Sequence, residues 1–151
     1  MLLSALVFAL LPANAGEYKK IWHWPDRIAP DIVVCEDAKT TLNTVKKGVA
    51  FWESLGYDFG NILTDKTACR YDWFENTVII RGEENLNTLE YNAFSTPWHN
   101  TRTHNLLSVV IQFEDRVANV QDLVNHELGH ALGLGHTDSR NDIMYGGEIA
   151  Y

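Results

Sequence analysis

The stretch His126-Glu127-Leu128-Gly129-His130-Ala131-Leu132-Gly133-Leu134-Gly135-His136 constrains this chain more than any other. On a helix, residues four apart share a face, so His126 and His130 can aim their imidazoles at one point. Two neutral imidazoles so placed are a ready pair of zinc ligands. Glu127 sits beside the pair but is not aimed straight at the same point. That position suits a carboxylate acting as a general base. Gly133 lets the chain leave the helix sharply, and the turn can return His136 as a third ligand. Three protein nitrogens leave one tetrahedral position open, which is the catalytic rather than the structural form of a zinc site. Shuffling this composition gives His-Glu-x-x-His in roughly one or two chains per hundred. Adding Gly133 and His136 at fixed spacing lowers that to roughly a few in a hundred thousand, so an incidental amphipathic helix is the weaker reading. Val120, Val124, Leu128 and Ala131 fall on the opposite face, which lets one side pack while the other lines a cleft.

The spacing His126 to His136 resembles the extended zinc motif of the metzincin metallopeptidases, H-E-x-x-H-x-x-G-x-x-H. Asp142-Ile143-Met144-Tyr145-Gly146 is similar to that clan's Met-turn, and Ile-Met-Tyr so soon after the third histidine looks most like the matrixins. The match covers about residues 123–146. The resemblance implies zinc on His126, His130 and His136, with Glu127 as general base in peptide hydrolysis. It implies Met144 as an apolar floor beneath the imidazoles rather than a ligand. Tyr145 is read as lining the pocket or simply packing, and Asp138 as a hydrogen-bonding support for the loop. Thr137 stands where metzincin families differ and does not settle the subfamily. Calcium is the family's second cation, and Glu83, Glu84, Glu114 and Asp115 are acidic loop residues. None has a calcium-loop spacing, so calcium stays unassigned. His99 and His104 sit where some matrixins hold a structural zinc, but without the acidic partners, so hydrogen-bonded or surface histidines are the better reading.

With 151 residues, 46% of them hydrophobic and 21% charged, the chain suits one domain with a real core. A net charge of −8 gives a nucleic-acid role no support. Residues 1–11 are nearly all apolar, and Ala13-Asn14-Ala15 is a small-x-small pattern. Together they read as a signal peptide cut after Ala15, leaving a domain over 16–151 in a secreted or periplasmic compartment. No other segment is apolar enough to span a membrane. Cys35 and Cys69 then form an even pair in an oxidising compartment, which suggests one disulfide, with two buried free thiols as the alternative. Cys35 lies in an apolar run and lacks the surroundings of the matrixin latency cysteine.

Periodicity supplies the elements. Asp31–Cys35 reads as a buried strand. A helix is expected from about Ala38, with Leu42, Val45, Val49 and Trp52 as its core stripe and Gly56 at its end. A short strand is expected near Asn61–Leu63, and a firm one at Thr77–Arg81. Leu89–Ser95 reads as an edge strand stopped by Pro97, followed by a loop over Trp98–Asn105. Leu106–Phe113 reads as a central strand, and Asn119 as N-cap of the histidine helix. Trp22, Trp24 and the prolines at 25 and 30 make an extended lead-in whose aromatics pack on the domain. The class is α+β, a twisted mixed sheet with a first helix and an active-site helix. The resemblance implies an extended peptide substrate along the edge strand and a normally helical C-terminal subdomain, read here as very short. A monomeric secreted endopeptidase is the expectation. A zinc-stabilised binding module, or a toxin or inhibitor scaffold on the same fold, is the alternative, and retention of Glu127 argues against the module.

Overall fold

The computed structural model describes residues 18–64, 67–82 and 92–147. The expected signal peptide lies outside the described residues, as do Leu89 to Tyr91 and the acidic pair Glu83 and Glu84. Strand β1 (Asp31–Val34) is followed by helix α1 (Leu42–Ser54), β2 (Ile62–Leu63), β3 (Thr77–Gly82), β4 (Ala93–His99), β5 (Leu106–Phe113) and helix α2 (Gln121–Ala131). The sheet order is β2-β1-β3-β5-β4. β1, β2, β3 and β5 run parallel, and β4 returns antiparallel along β5 at the edge. This is the α+β mixed sheet with two helices that the periodicity implied.

Alternation along the strands divides the core in two. Ile32, Val34, Val78, Ile80, Val109, Ile111 and Phe113 meet the helices, where Val45, Val49, Trp52, Val124 and Leu128 close over them. Val33, Ile79 and Val110 point the other way, towards Ala68 and the disulfide. Cys35 and Cys69 are bonded, with Cα atoms 5.8 Å apart and a sequence separation of 34. The bridge ties the end of β1 to the loop before β3. Replacing both cysteines by serine should cost about 2–4 kcal/mol of folding stability, read as a shift in the urea midpoint. An unchanged midpoint would mean the bridge constrains nothing.

Four expectations need correction. Helix α1 starts at Leu42, not near Ala38. Glu36–Ala38 forms a separate 3-10 turn, and Lys39 takes a left-handed conformation with φ 53° that breaks any continuation. The Thr41 hydroxyl caps α1 by accepting from Thr44 N–H, and Leu42 is exposed rather than part of the stripe. Asn119 does not cap α2; its neighbour Val120 holds the N-cap position with no side-chain bond. The Asn119 carboxamide instead reaches α1, accepting from Thr41 N–H at 2.8 Å and Thr44 Oγ1 at 3.0 Å and donating to Lys39 O at 2.8 Å. β5, by contrast, is an interior strand as its composition implied, paired with β3 and β4.

The fourth correction concerns the edge. Pro97 does not stop β4, and Trp98 and His99 belong to the strand rather than to a loop. Asn92 O accepts from Glu114 N–H at 2.9 Å, so Asn92 faces β5. Alternation then turns the main-chain groups of Ala93, Ser95 and Pro97 towards the free edge. A proline is harmless where its missing N–H would have faced outward.

Candidate metal centre

Helix α2 is fixed from below before its histidines are considered. Trp52 is fully buried and donates its indole N–H to Asn125 O at 2.8 Å, locking α1 to α2 beside His126. Gly129 has no room for a side chain, because a Cβ there would collide with Met144 Sδ and the Trp52 ring. The close approach this allows puts Met144, with no exposed surface, directly against the helix.

The helix ends on Gly133 at φ 84°, with Leu134 N–H returning to Gly129 O at 3.1 Å and Gly133 N–H to His130 O at 2.9 Å. That bonding pattern is the glycine-terminated reversal that satisfies the last helical carbonyls. The amino-terminal segment clasps the turn from outside. Ile21 N–H donates to Gly133 O at 2.8 Å, Gly135 N–H to Lys19 O at 2.9 Å, and the Trp24 indole to Ala131 O at 2.8 Å. His136 therefore leaves a turn held on both sides.

The His136 Nε2 atom lies 3.0 Å from His130 Nε2 and 3.3 Å from His126 Nε2. His126 Nδ1 is 2.7 Å from Ile143 O, and His130 Nδ1 is 2.9 Å from Leu134 O. A carbonyl only accepts, so each Nδ1 carries the proton and each Nε2 presents a lone pair to the common centre. With its Nε2 unprotonated, His136 would add a third lone pair, and three so close would favour a cation between them. Zinc–nitrogen bonds of 2.0–2.1 Å in a tetrahedron would set nitrogens about 3.3 Å apart, close to the spacing found. Burial pushes the His126 pKa down and brings that of His130 to about 4, which keeps both rings neutral and able to ligate.

Glu127 is 4% exposed, and its carboxylate is not among the converging atoms. Burial raises its pKa to about 7, against the opposing effect of the Ser95 hydroxyl. A divalent cation nearby would push it back towards the ionised form. Ser95 Oγ donates to Glu127 Oε2 at 2.6 Å.

A matrixin family model matches residues 37–147. The chain belongs to the matrixin family. A search of curated proteins found no match. Matrixins normally bind zinc, and the three convergent imidazole nitrogens of this matrixin fit that ion on chemistry and spacing. Its domain is of the metallopeptidase type.

The remaining site residues of this matrixin fall as follows. The Met-turn is held by Asp142, whose Oδ1 accepts from Met144 N–H at 2.8 Å and whose main-chain oxygen accepts from Tyr145 N–H at 3.1 Å. Thr137 N–H donates to Met144 O at 2.8 Å, which joins the turn to the residue after His136. Asp138 is exposed, so the support expected from it comes from Asp142. Tyr145 is half-buried beside Thr137, with which it forms a bridge. His99 stacks on Trp22 at 5.0 Å, and His104 is an exposed left-handed loop residue. Neither belongs to a metal-ligand cluster among the described residues. Glu114 is paired with Arg116 at 2.5 Å, which occupies one of the acidic groups weighed for calcium. The sequence reading missed Asp142 and the Ser95–Glu127 bond. Asp142 had a signal, an acidic residue two before Met144, where such a side chain bonds the backbone two residues on. Ser95 had none, because its partner lies 32 residues away.

Proposed function

We propose that this matrixin is a secreted zinc endopeptidase. One observation carries the reading: three imidazole nitrogens converge beside a buried carboxylate that is not one of the group. His126, His130 and His136 would hold the ion. When bound there, zinc would polarise the scissile carbonyl and acidify water. Glu127 accepts the proton of the attacking water and passes it to the leaving amine nitrogen. Met144 fills the space beneath the ligand-bearing helix, and the Nδ1–H bonds to Ile143 O and Leu134 O fix ring orientation. The test is digestion of a broad quenched-fluorescent peptide library by zinc-loaded protein. Cleavage should stop with a chelator and return with zinc. A zinc-loaded protein that cleaves nothing ends the proposal.

The substrate lies extended along β4, paired with the outward main-chain groups of Ala93 and Ser95. Replacing Ala93 by proline should then raise KM several-fold at unchanged melting temperature, because it removes an outward N–H and leaves the β5 ladder intact. Normal KM in the folded variant would place the substrate elsewhere. Secretion is part of the same reading. The disulfide suits an oxidising compartment, and no helix among the described residues is long and apolar enough to cross a membrane. Cleavage after Ala15 predicts a mature protein whose first residue by Edman sequencing is Gly16.

A further inference from the structure

We propose that Ser95 is the positioning residue of the Glu127 carboxylate, and that it couples the substrate-binding edge strand to the proton-transfer group. The proposal rests on the peptidase reading above and deepens it. Ser95 sits on β4 with its main-chain groups turned to the free edge and its side chain turned inward to α2. Its Oγ lies 2.6 Å from Glu127 Oε2 and 3.4 Å from Glu127 O. A hydroxyl donating to a carboxylate at that distance makes a short, charge-assisted bond.

A glutamate has three side-chain torsions, and α2 alone does not fix the last of them. The hydroxyl occupies Oε2 and so settles which oxygen is left for the proton. Oε1 is then the atom that takes the proton from water and returns it to the amine. Ser95 touches neither water nor peptide through its hydroxyl in this scheme, and acts only through Glu127. Its backbone, by contrast, is where an added peptide strand would pair. One residue thus carries both the register of the substrate and the orientation of the base. A peptide docked along β4 would have its scissile bond placed against Oε1 by a single rigid connection.

The experiment compares Ser95→Val and Ser95→Thr in full-length, zinc-loaded protein. Valine keeps the β-branched shape of threonine and lacks the hydroxyl, so the pair isolates the hydrogen bond from packing. Ser95→Val is expected to lower kcat about tenfold, at the low end for hydrogen bonds to charged groups. KM should stay within about twofold, and zinc content should not change. Ser95→Thr should keep at least about half of kcat, since it restores the donor. A second readout needs no activity. In metal-free protein, Ser95→Val should shift the melting temperature, and the shift should vanish in a Glu127→Ala background. Unchanged kcat in Ser95→Val, an equal loss in Ser95→Thr, a fall in zinc content, or the same melting shift in both backgrounds would each overturn the assignment. If wild-type protein cleaves peptides while Ser95→Val does so at full kcat, only this inference fails. If zinc-loaded wild type cleaves nothing, the peptidase reading fails and takes this one with it.

Discussion

Replacing Glu127 by alanine is expected to leave the protein folded with about one zinc per chain, while peptidase activity falls by about 100- to 10,000-fold, the usual contribution of a general acid–base group. The geometry separates the two roles. The three Nε2 atoms converge, and the Glu127 carboxylate is not among them; its Oε2 accepts from Ser95 Oγ at 2.6 Å. Removing the carboxylate therefore removes no ligand. It also relieves the fold of a buried ionisable group, so the melting temperature should not fall by much. Atomic absorption gives the zinc content, a quenched peptide gives the rate, and circular dichroism gives the melt. A variant that lost its zinc would place Glu127 among the ligands and undo the assignment.

His130→Ala is expected to fail differently. It deletes a ligand and also the Nδ1–H bond to Leu134 O at 2.9 Å that helps shape the turn before His136. Zinc should bind much more weakly. Because the ion binds the folded chain, saturating zinc at about 100 times its dissociation constant adds about 2.7 kcal/mol of stability to the wild type. Thermal melts with and without zinc should show that increment in the wild type and nearly none in His130→Ala. Activity should be lost in both His130→Ala and Glu127→Ala, but only the histidine variant should lose the zinc-dependent rise in melting temperature. An equal rise in both would mean that His130 is not a ligand.

What the sequence disclosed depended on the range of the interaction that carried it. Val78, Ile79 and Ile80 on β3 and the run on β5 are strands by their own composition, and these segments form the buried heart of the sheet. The ligand spacing is local too: His126, His130 and the turn at Gly133 are set by helix pitch and one left-handed residue. Long-range choices were not legible. Asn119 has the chemistry of a helix cap, but its carboxamide found three partners around the start of α1, 75 to 80 residues earlier, which no local rule anticipates. Pro97 reads as a stop unless the strand is known to lie at an edge with its nitrogen outward. The Ser95–Glu127 bond needs the register of β4 on β5 and the seating of α2 before the two residues can be seen to meet.

The clasp of Lys19 and Ile21 on the turn at Gly133 and Gly135 bears on when the histidine cluster can form. It joins residues more than a hundred positions apart, so that loop closes only after most of the chain is present. His136, the last ligand, depends on the same turn, and its Met-turn floor is later still in the sequence. A nascent chain that has not yet reached these residues lacks those partners and cannot assemble the three-histidine centre. The topology thus acts as a clock: the three-histidine centre arrives only with the finished fold.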